Sequence, residues 1–319
     1  MKVVIAGLLL FLIGFFTVEL ALRLVFGFGN PPLYVADDTI GYLLAPNQQV
    51  RRFGNLIAIN QYSMRTDEIQ KSRPADTLRV FLIGDSIVNG NWWTDQSEIL
   101  SVMLEKALSQ HEQISSTEVL NASANSWGPR NQIAYLQRFG IFESQIVMLV
   151  INTDDLFGIQ PNSLQVGTDR SYPCQKPLLA VFELISRFQK QPPIPGLKEL
   201  QNEKGDRIGK NLTAIADIQH YVNAHNGILL LAMTPLKREV IDGPRDYEIV
   251  ARQRVDAFVA AQKIPYIDFL KLFQDSSDSE DLYRDHIHLS PRGNTLVTQS
   301  LTYLMFEALF NEDKLASVS

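Results

Sequence analysis

Two short stretches carry residues that could do chemistry together. In VFLIGDSIVNG an apolar run ends on Gly84, Asp85 and Ser86, and YRDHIHLSPRG sets Asp285 and His288 three apart. A hydroxyl, an imidazole and a carboxylate are the parts of nucleophilic catalysis. The imidazole takes the hydroxyl proton, and the carboxylate fixes which ring nitrogen does so. Amides at the mouth of a helix beside Ser86 would stabilise the charge that develops on an attacked carbonyl. The same Asp-Ser pair also suits a turn or a helix cap, so the two readings stand side by side at this point. His286 is the local rival to His288, whereas His111, His220 and His225 fall in or just after helices on polar faces and read as solvated.

What must position these groups is a regular alternation of strands and helices. RVFLIGD, EVLNAS, QIVMLVIN, ILLLAMTP and PYIDF read as strands. Between and after them, QSEILSVMLEKALSQ, PRNQIAYLQRFGIF (with Pro129 at a helix start), NLTAIADIQHYVNAHNG, DYEIVARQRVDAFVAAQ and NTLVTQSLTYLMFEALF carry apolar residues at helical spacing. Continuous apolar strands alternating with helices predict a parallel sheet covered on both faces. In such sheets sites form at the carboxyl ends of the strands, which picks out GDS, NASANSWG, NTDDLFG and YRDHIHLSPRG. The rhythm breaks at about 157–209, where an amphipathic helix ended by prolines (PLLAVFELISRFQKQPPIPG) predicts an insertion, either over the active face or as an inert surface elaboration.

The amino terminus is apolar from Val3 to Val18 and continues to Phe28 with only Glu19 and Arg23 interrupting. Those two lie four apart and can pair on a helix. The run is long enough to cross a bilayer, and no small-x-small cleavage site with a polar start follows it. We therefore expect a signal anchor over 1–28, a juxtamembrane segment over 29–77 packing on the domain, and an α/β domain over 78–319. Lys2 against Arg23 orients the anchor only weakly, with the domain outside the cytoplasmic membrane. The net charge of −6 and the isolated pair Arg51 and Arg52 argue against a general nucleic-acid binder. Cys174 is the only cysteine, which excludes an internal disulfide, and the chain has neither a Gly-rich phosphate loop nor a metal-ligand cluster, so no cofactor or metal is expected.

Taken together, the four strand-end blocks resemble the SGNH family, the GDSL-type esterases and acyl transferases, in the right order across about residues 79 to 311. The resemblance implies the SGNH, flavodoxin-like three-layer α/β/α sandwich with a mostly parallel central sheet, and the order Ser86, Asp285, His288 for nucleophile, orienting acid and base. It also implies an oxyanion hole from the amide of Ser86 and an amide of the second block, aligned at Ser123 where the family usually carries glycine. The third block departs more sharply. Where the family has an asparagine whose side chain donates to the oxyanion, VINTDDL carries Asp154, and an ionised carboxylate repels such a charge. Three readings follow: a neutral Asp154, Asn152 as substitute donor, or a weak or dead site. Trp92, Trp93 and Trp127 lie near the site and read either as stacking platforms for substrate or as core fillers.

The function expected from this is a membrane-anchored serine esterase acting on ester groups, O-acetyl among them, of an extracytoplasmic substrate through an acyl-Ser86 intermediate. An O-acyltransferase of the same fold is the first alternative, and a non-catalytic glycan-binding or assembly component is the second.

Overall fold

Strands with long runs of Val, Ile, Leu and Phe need cover on both faces. The computed structural model describes residues 1–310 and forms a single five-stranded sheet from such runs. Residues 311–319, which the sequence reading assigns to the α/β domain, lie outside the described residues.

The chain opens with helix α1 (Lys2–Leu24), followed by two antiparallel hairpins, β1 (Tyr34–Asp37) with β2 (Gly41–Leu44) and β3 (Gln48–Arg52) with β4 (Asn55–Ile59). Then come β5 (Thr77–Gly84), α2 (Ser86–Asn89), α3 (Leu100–Leu108), β6 (Ser116–Ser123), α4 (Pro129–Phe139) and β7 (Ile146–Asn152). Two short helices, α5 (Ala180–Phe188) and α6 (Leu197–Gln201), precede α7 (Arg207–Ala224), β8 (Ile228–Thr234) and α8 (Lys237–Ile241). The chain continues through α9 (Asp246–Gln262), β9 (Tyr266–Asp268), α10 (Phe269–Gln274) and α11 (Pro291–Phe310).

The sheet order is β6-β5-β7-β8-β9 with every pair parallel. Strand order reverses between β5 and β7, which opens a crevice at their carboxyl ends. The period of two sends Phe81, Ile83, Leu149 and Ile151 to one face, against Tyr135 and Leu136 of α4, Ile215 and Ile218 of α7 and Val255 of α9. It sends Val80, Leu82, Met148 and Val150 to the other, against Leu104 of α3, Phe269 of α10 and Leu301 of α11. This is the α/β/α sandwich expected from the sequence.

The hairpins are part of the same body. Tyr42, Leu43, Leu44, Ile57, Ile59 and Met64 are buried in the cluster that contains Phe81 and Ile83. Each such side chain contributes roughly 1.5–3 kcal/mol when fully buried. That burial holds the segment to the sheet without regular pairing between them.

Helix α1 ends at Leu24, and its last turns lie on α5 through Leu22, Phe28 and Ala180, with Val181 and Leu184 beside them. Glu19 pairs with Arg23 at 2.7 Å, and its carboxylate also accepts from the amides of Ala180 (2.8 Å) and Val181 (3.1 Å). The start of a helix has amides with no partner in their own helix, and a carboxylate there satisfies them and the local dipole. The acid in the apolar helix is thus the cap of α5.

Candidate active site

Strand β5 ends in a turn that only glycine fits. A Cβ on Gly84 would lie 2.8 Å from the carbonyl oxygen of Val150 on the neighbouring strand. Asp85 then caps α2, its Oδ1 accepting the amide of Ile87 at 2.8 Å, and Gly90 closes the helix with a left-handed φ of 74°. Ser86 is therefore the first residue of a one-turn helix at the floor of the crevice, buried but lining two cavities. The loop after α2 is held by Arg65, whose buried guanidinium donates to the carbonyls of Asn89 and Asn91, each at 2.6 Å.

The distant block comes to the same place. His288 Nε2 lies 2.9 Å from Ser86 Oγ, and His288 Nδ1 lies 2.8 Å from Asp285 Oδ2. The other oxygen of Asp285 accepts the amides of His288 (2.8 Å) and Ile287 (3.0 Å). Partial burial pushes Asp285 up, but these two amides and the imidazole outweigh it and hold the carboxyl below the usual range. An ionised Asp285 places the ring proton on Nδ1 and leaves Nε2 as acceptor for the serine hydroxyl. Asn91 supplies a second donor to Nε2 at 3.3 Å, and the Trp93 ring meets the imidazole edge to face at 4.8 Å. His286 is exposed, and its Nδ1 stays 3.8 Å from Asp285. His220 and His225 are exposed, whereas His111 stacks on Phe306 and Phe310 of α11 at 4.3 and 5.2 Å instead of being solvated.

Each residue of the third block points a different way. The Asn152 side chain donates to Asp85 Oδ2 at 2.8 Å and accepts the amide of Asp154 at 2.7 Å, so both its ends are engaged at the loop. Thr153 Oγ1 turns beneath the sheet edge, donating to Glu239 at 2.7 Å and accepting from Arg252 at 2.9 Å. Asp155 turns back to accept the amide of Asn152 at 2.9 Å. All three acidic or amide residues of the block, Asn152, Asp154 and Asp155, line with Ser86 and His288 a cavity of about 520 Å³, and Asp154 is the most exposed of them. Its carboxyl accepts no hydrogen bond among the described residues, and partial burial and then the charges of Glu239 and Glu248 raise its pKa.

The second block needs correction. Ser123 is still within β6, paired with Gly84, fully buried, and its hydroxyl donates to Asn121 Oδ1 at 2.5 Å. It lines neither cavity at Ser86. The residue that does is Ser126, which lines both, has a left-handed φ of 59°, and has an amide that donates to no acceptor among the described residues. The sequence reading missed it, although the turn-forming run Asn125-Ser126-Trp127-Gly128 was a signal. Trp127 is likewise corrected to a core residue, 1% exposed, its indole N–H donating to the Tyr42 carbonyl at 3.0 Å. Trp92 and Trp93 line the other cavity, of about 250 Å³, together with Ser86, Asn91, Ser126 and His288.

Beneath the nucleophile, Asp85 and Asp155 are both buried and share Asn152 as donor. Burial and then the Asp85 charge push Asp155 well above the usual carboxylate range. A raised folded pKa means that the stability it confers is full below the ordinary carboxylate range and is lost as pH rises through the folded value. Asp155→Asn keeps the acceptor for the Asn152 amide and cannot ionise. We expect it to raise the melting temperature by about 2–4 °C above pH 7 and to leave it unchanged near pH 4. Thermal melts at the two pH values check this, and equal shifts at both would refute it.

Comparison with known proteins gives one family match. Residues 82–296 fit the family model described as GDSL-like lipase/acylhydrolase. No curated protein matches the sequence. Among solved structures, the acetyl xylan esterase AlAXEase is similar at 14% identity over 73% of this chain and 100% of its own, with a TM-score of 0.48. A catalytic mutant of an acetylxylan esterase from Geobacillus stearothermophilus is similar at 12% identity over 71% of this chain and 93% of its own, TM-score 0.47. A GDSL-like lipase from Bacteroides thetaiotaomicron is similar at 11% identity over 75% and 91%, TM-score 0.43.

Proposed function

The chain belongs to the GDSL-like lipase/acylhydrolase family of hydrolytic enzymes, and from that premise we propose that it cleaves esters through an acyl-Ser86 intermediate. The observation that carries the reading is the continuous Ser86-His288-Asp285 hydrogen-bonded chain at the floor of the crevice. Ser86 Oγ attacks the ester carbonyl as its proton passes to His288 Nε2, and Asp285 stabilises the resulting imidazolium. The negative oxygen of the tetrahedral intermediate is met by the free amides of Ser86 and Ser126. His288 then returns the proton to the leaving alcohol. Water, deprotonated by His288, releases the acyl group and restores the serine.

Substrate and location follow from the amino terminus. Helix α1 is long and apolar enough to span a membrane or to be a signal sequence. We take it as an uncleaved anchor because Glu19 and Arg23 are built into α5 and its approach, Arg23 donating also to the Leu178 carbonyl at 2.9 Å. Cleavage would strip α5 of its cap. A domain held outside the cytoplasmic membrane meets O-acylated envelope or extracellular polymers, and we propose O-acetyl groups on such a polymer as substrate.

One observation favours a second reading, acyl transfer to an alcohol. Two cavities, of about 250 and 520 Å³, meet at Ser86, Ser126 and His288. One suits an acyl donor and the other an acceptor that takes the place of water.

A fluorophosphonate probe tests the core of this, because it reports nucleophile activation without knowledge of the substrate. Phosphonylation is expected at Ser86 alone, with no adduct in Ser86→Ala. An intact, folded chain left unmodified at Ser86 would remove the acyl-serine mechanism and favour a binding role for the crevice.

A further inference from the structure

Helix α5 buries little of its own apolar surface. One side, Ala180 with Val181 and Leu184, packs on Leu22 and Phe28 at the end of α1. Glu183 turns toward the hairpins, pairing with Arg52 at 2.6 Å and accepting the Gly29 amide at 2.7 Å. What remains is Phe182 (55% exposed), Ile185 (49%) and Phe188 (84%), spaced by three along the helix, with Leu178 (82%) just before it. Lys176, Arg187 and Lys190 flank them, all exposed. A row of large apolar side chains bordered by cations is the composition of a helix lying at a lipid surface, not of a water-facing one.

The row is continuous with α1, which offers exposed apolar side chains along its length. Phe26 and Phe53, the latter at the tip of the β3-β4 hairpin, extend it at 41% and 44% exposure. The level also agrees. Glu19, the contact with the start of α5, lies five residues before the end of α1, which is about 7.5 Å along a helix axis. Interfacial helices sit roughly 5–10 Å into the headgroup and acyl boundary.

We infer that α5 lies in the interface of the membrane that α1 spans, with Leu178, Phe182, Ile185 and Phe188 against lipid and the three cations among anionic headgroups. The inference rests on α1 being an anchor. It places the smaller cavity at headgroup level, since Arg187 of α5 and Pro31 and Pro32 of the segment after α1 form part of its wall. A run of rings ties that level to the catalytic base: Phe26 to Phe53 (5.8 Å), Phe53 to Trp92 (5.0 Å), Trp92 to Trp93 (5.2 Å) and Trp93 to His288 (4.8 Å). The ester is then presented to Ser86 from the membrane surface.

The test uses the full chain with Cys174→Ser, which removes the native thiol, in vesicles of phosphatidylethanolamine and phosphatidylglycerol. Single cysteines introduced as Phe182→Cys and Ile185→Cys carry a fluorophore, with Leu10→Cys on α1 and Lys271→Cys, an exposed position on α10, as references. Nitroxide lipids labelled near the headgroup are expected to quench positions 182 and 185 several-fold more than 271, while lipids labelled near the chain terminus quench position 10. Quenching at 10 with 182 and 185 no different from 271, as when a second copy of the chain covers the patch, overturns the inference and leaves the anchor standing. No quenching at position 10 overturns both.

Discussion

Ser86→Ala is expected to lower kcat for a small acetyl ester by on the order of 10⁶, and His288→Ala to cost about as much. The two groups form one proton-transfer unit 2.9 Å apart, so the double variant should fall no further than either single one. The residual rate would come from the amides of Ser86 and Ser126, which do not depend on either side chain. Alanine at 86 removes only a hydroxyl whose single proton serves His288, and the Asp85 cap of α2 accepts from the backbone of Ile87. The folded state therefore survives, and circular dichroism separates lost chemistry from lost structure. A variant retaining a tenth of native turnover would show that the nucleophile lies elsewhere.

Asp154→Asn is expected to raise kcat, by about 10² at pH 8, the size of one oxyanion donor gained. The native carboxyl lines the same cavity as Ser86 and His288 and accepts no hydrogen bond among the described residues. Partial burial, with Glu239 and Glu248 behind it, raises its pKa, so its neutral, donating form persists to higher pH than in an ordinary carboxylate. As pH climbs through that value the group ionises and opposes the oxyanion. The asparagine donates at every pH. Hence the ratio of variant to native kcat should be smaller at pH 5 than at pH 8. A lower kcat at both pH values would mean that the carboxylate has a task of its own, such as holding a substrate hydroxyl.

How much of this could be read before the fold was known depended on how local each signal was. The central strands of the sheet are runs of apolar residues, so they were legible, and with them the strand ends where Ser86 and Asp154 sit. Asp285 and His288 are legible because their spacing is set within one short loop. Ser126 was not, because its role depends on where β6 stops, and the register that keeps Ser123 opposite Gly84 comes from pairing with another strand. Trp127 reads equally as platform or core until the Tyr42 carbonyl, 85 residues earlier, claims its N–H. Most of the hairpin segment was obscure for a related reason: NLIAINQYSM alternates like a short strand where β4 lies, but the other four- and five-residue strands carry almost no periodicity, and their burial is decided by the sheet they lie against.

The cap on α5 also sets an order of events during synthesis. The amides that Glu19 serves, at Ala180 and Val181, are made 161 and 162 residues after it. At about 5–20 residues per second, that leaves roughly 8–30 s in which Arg23 is its only partner. Helix α5 can then be capped only when α1 lies beside it. A nascent domain released from its anchor would present α5 uncapped, with its apolar row exposed to water. The carboxylate thus makes completion of α5 depend on a helix synthesised long before it.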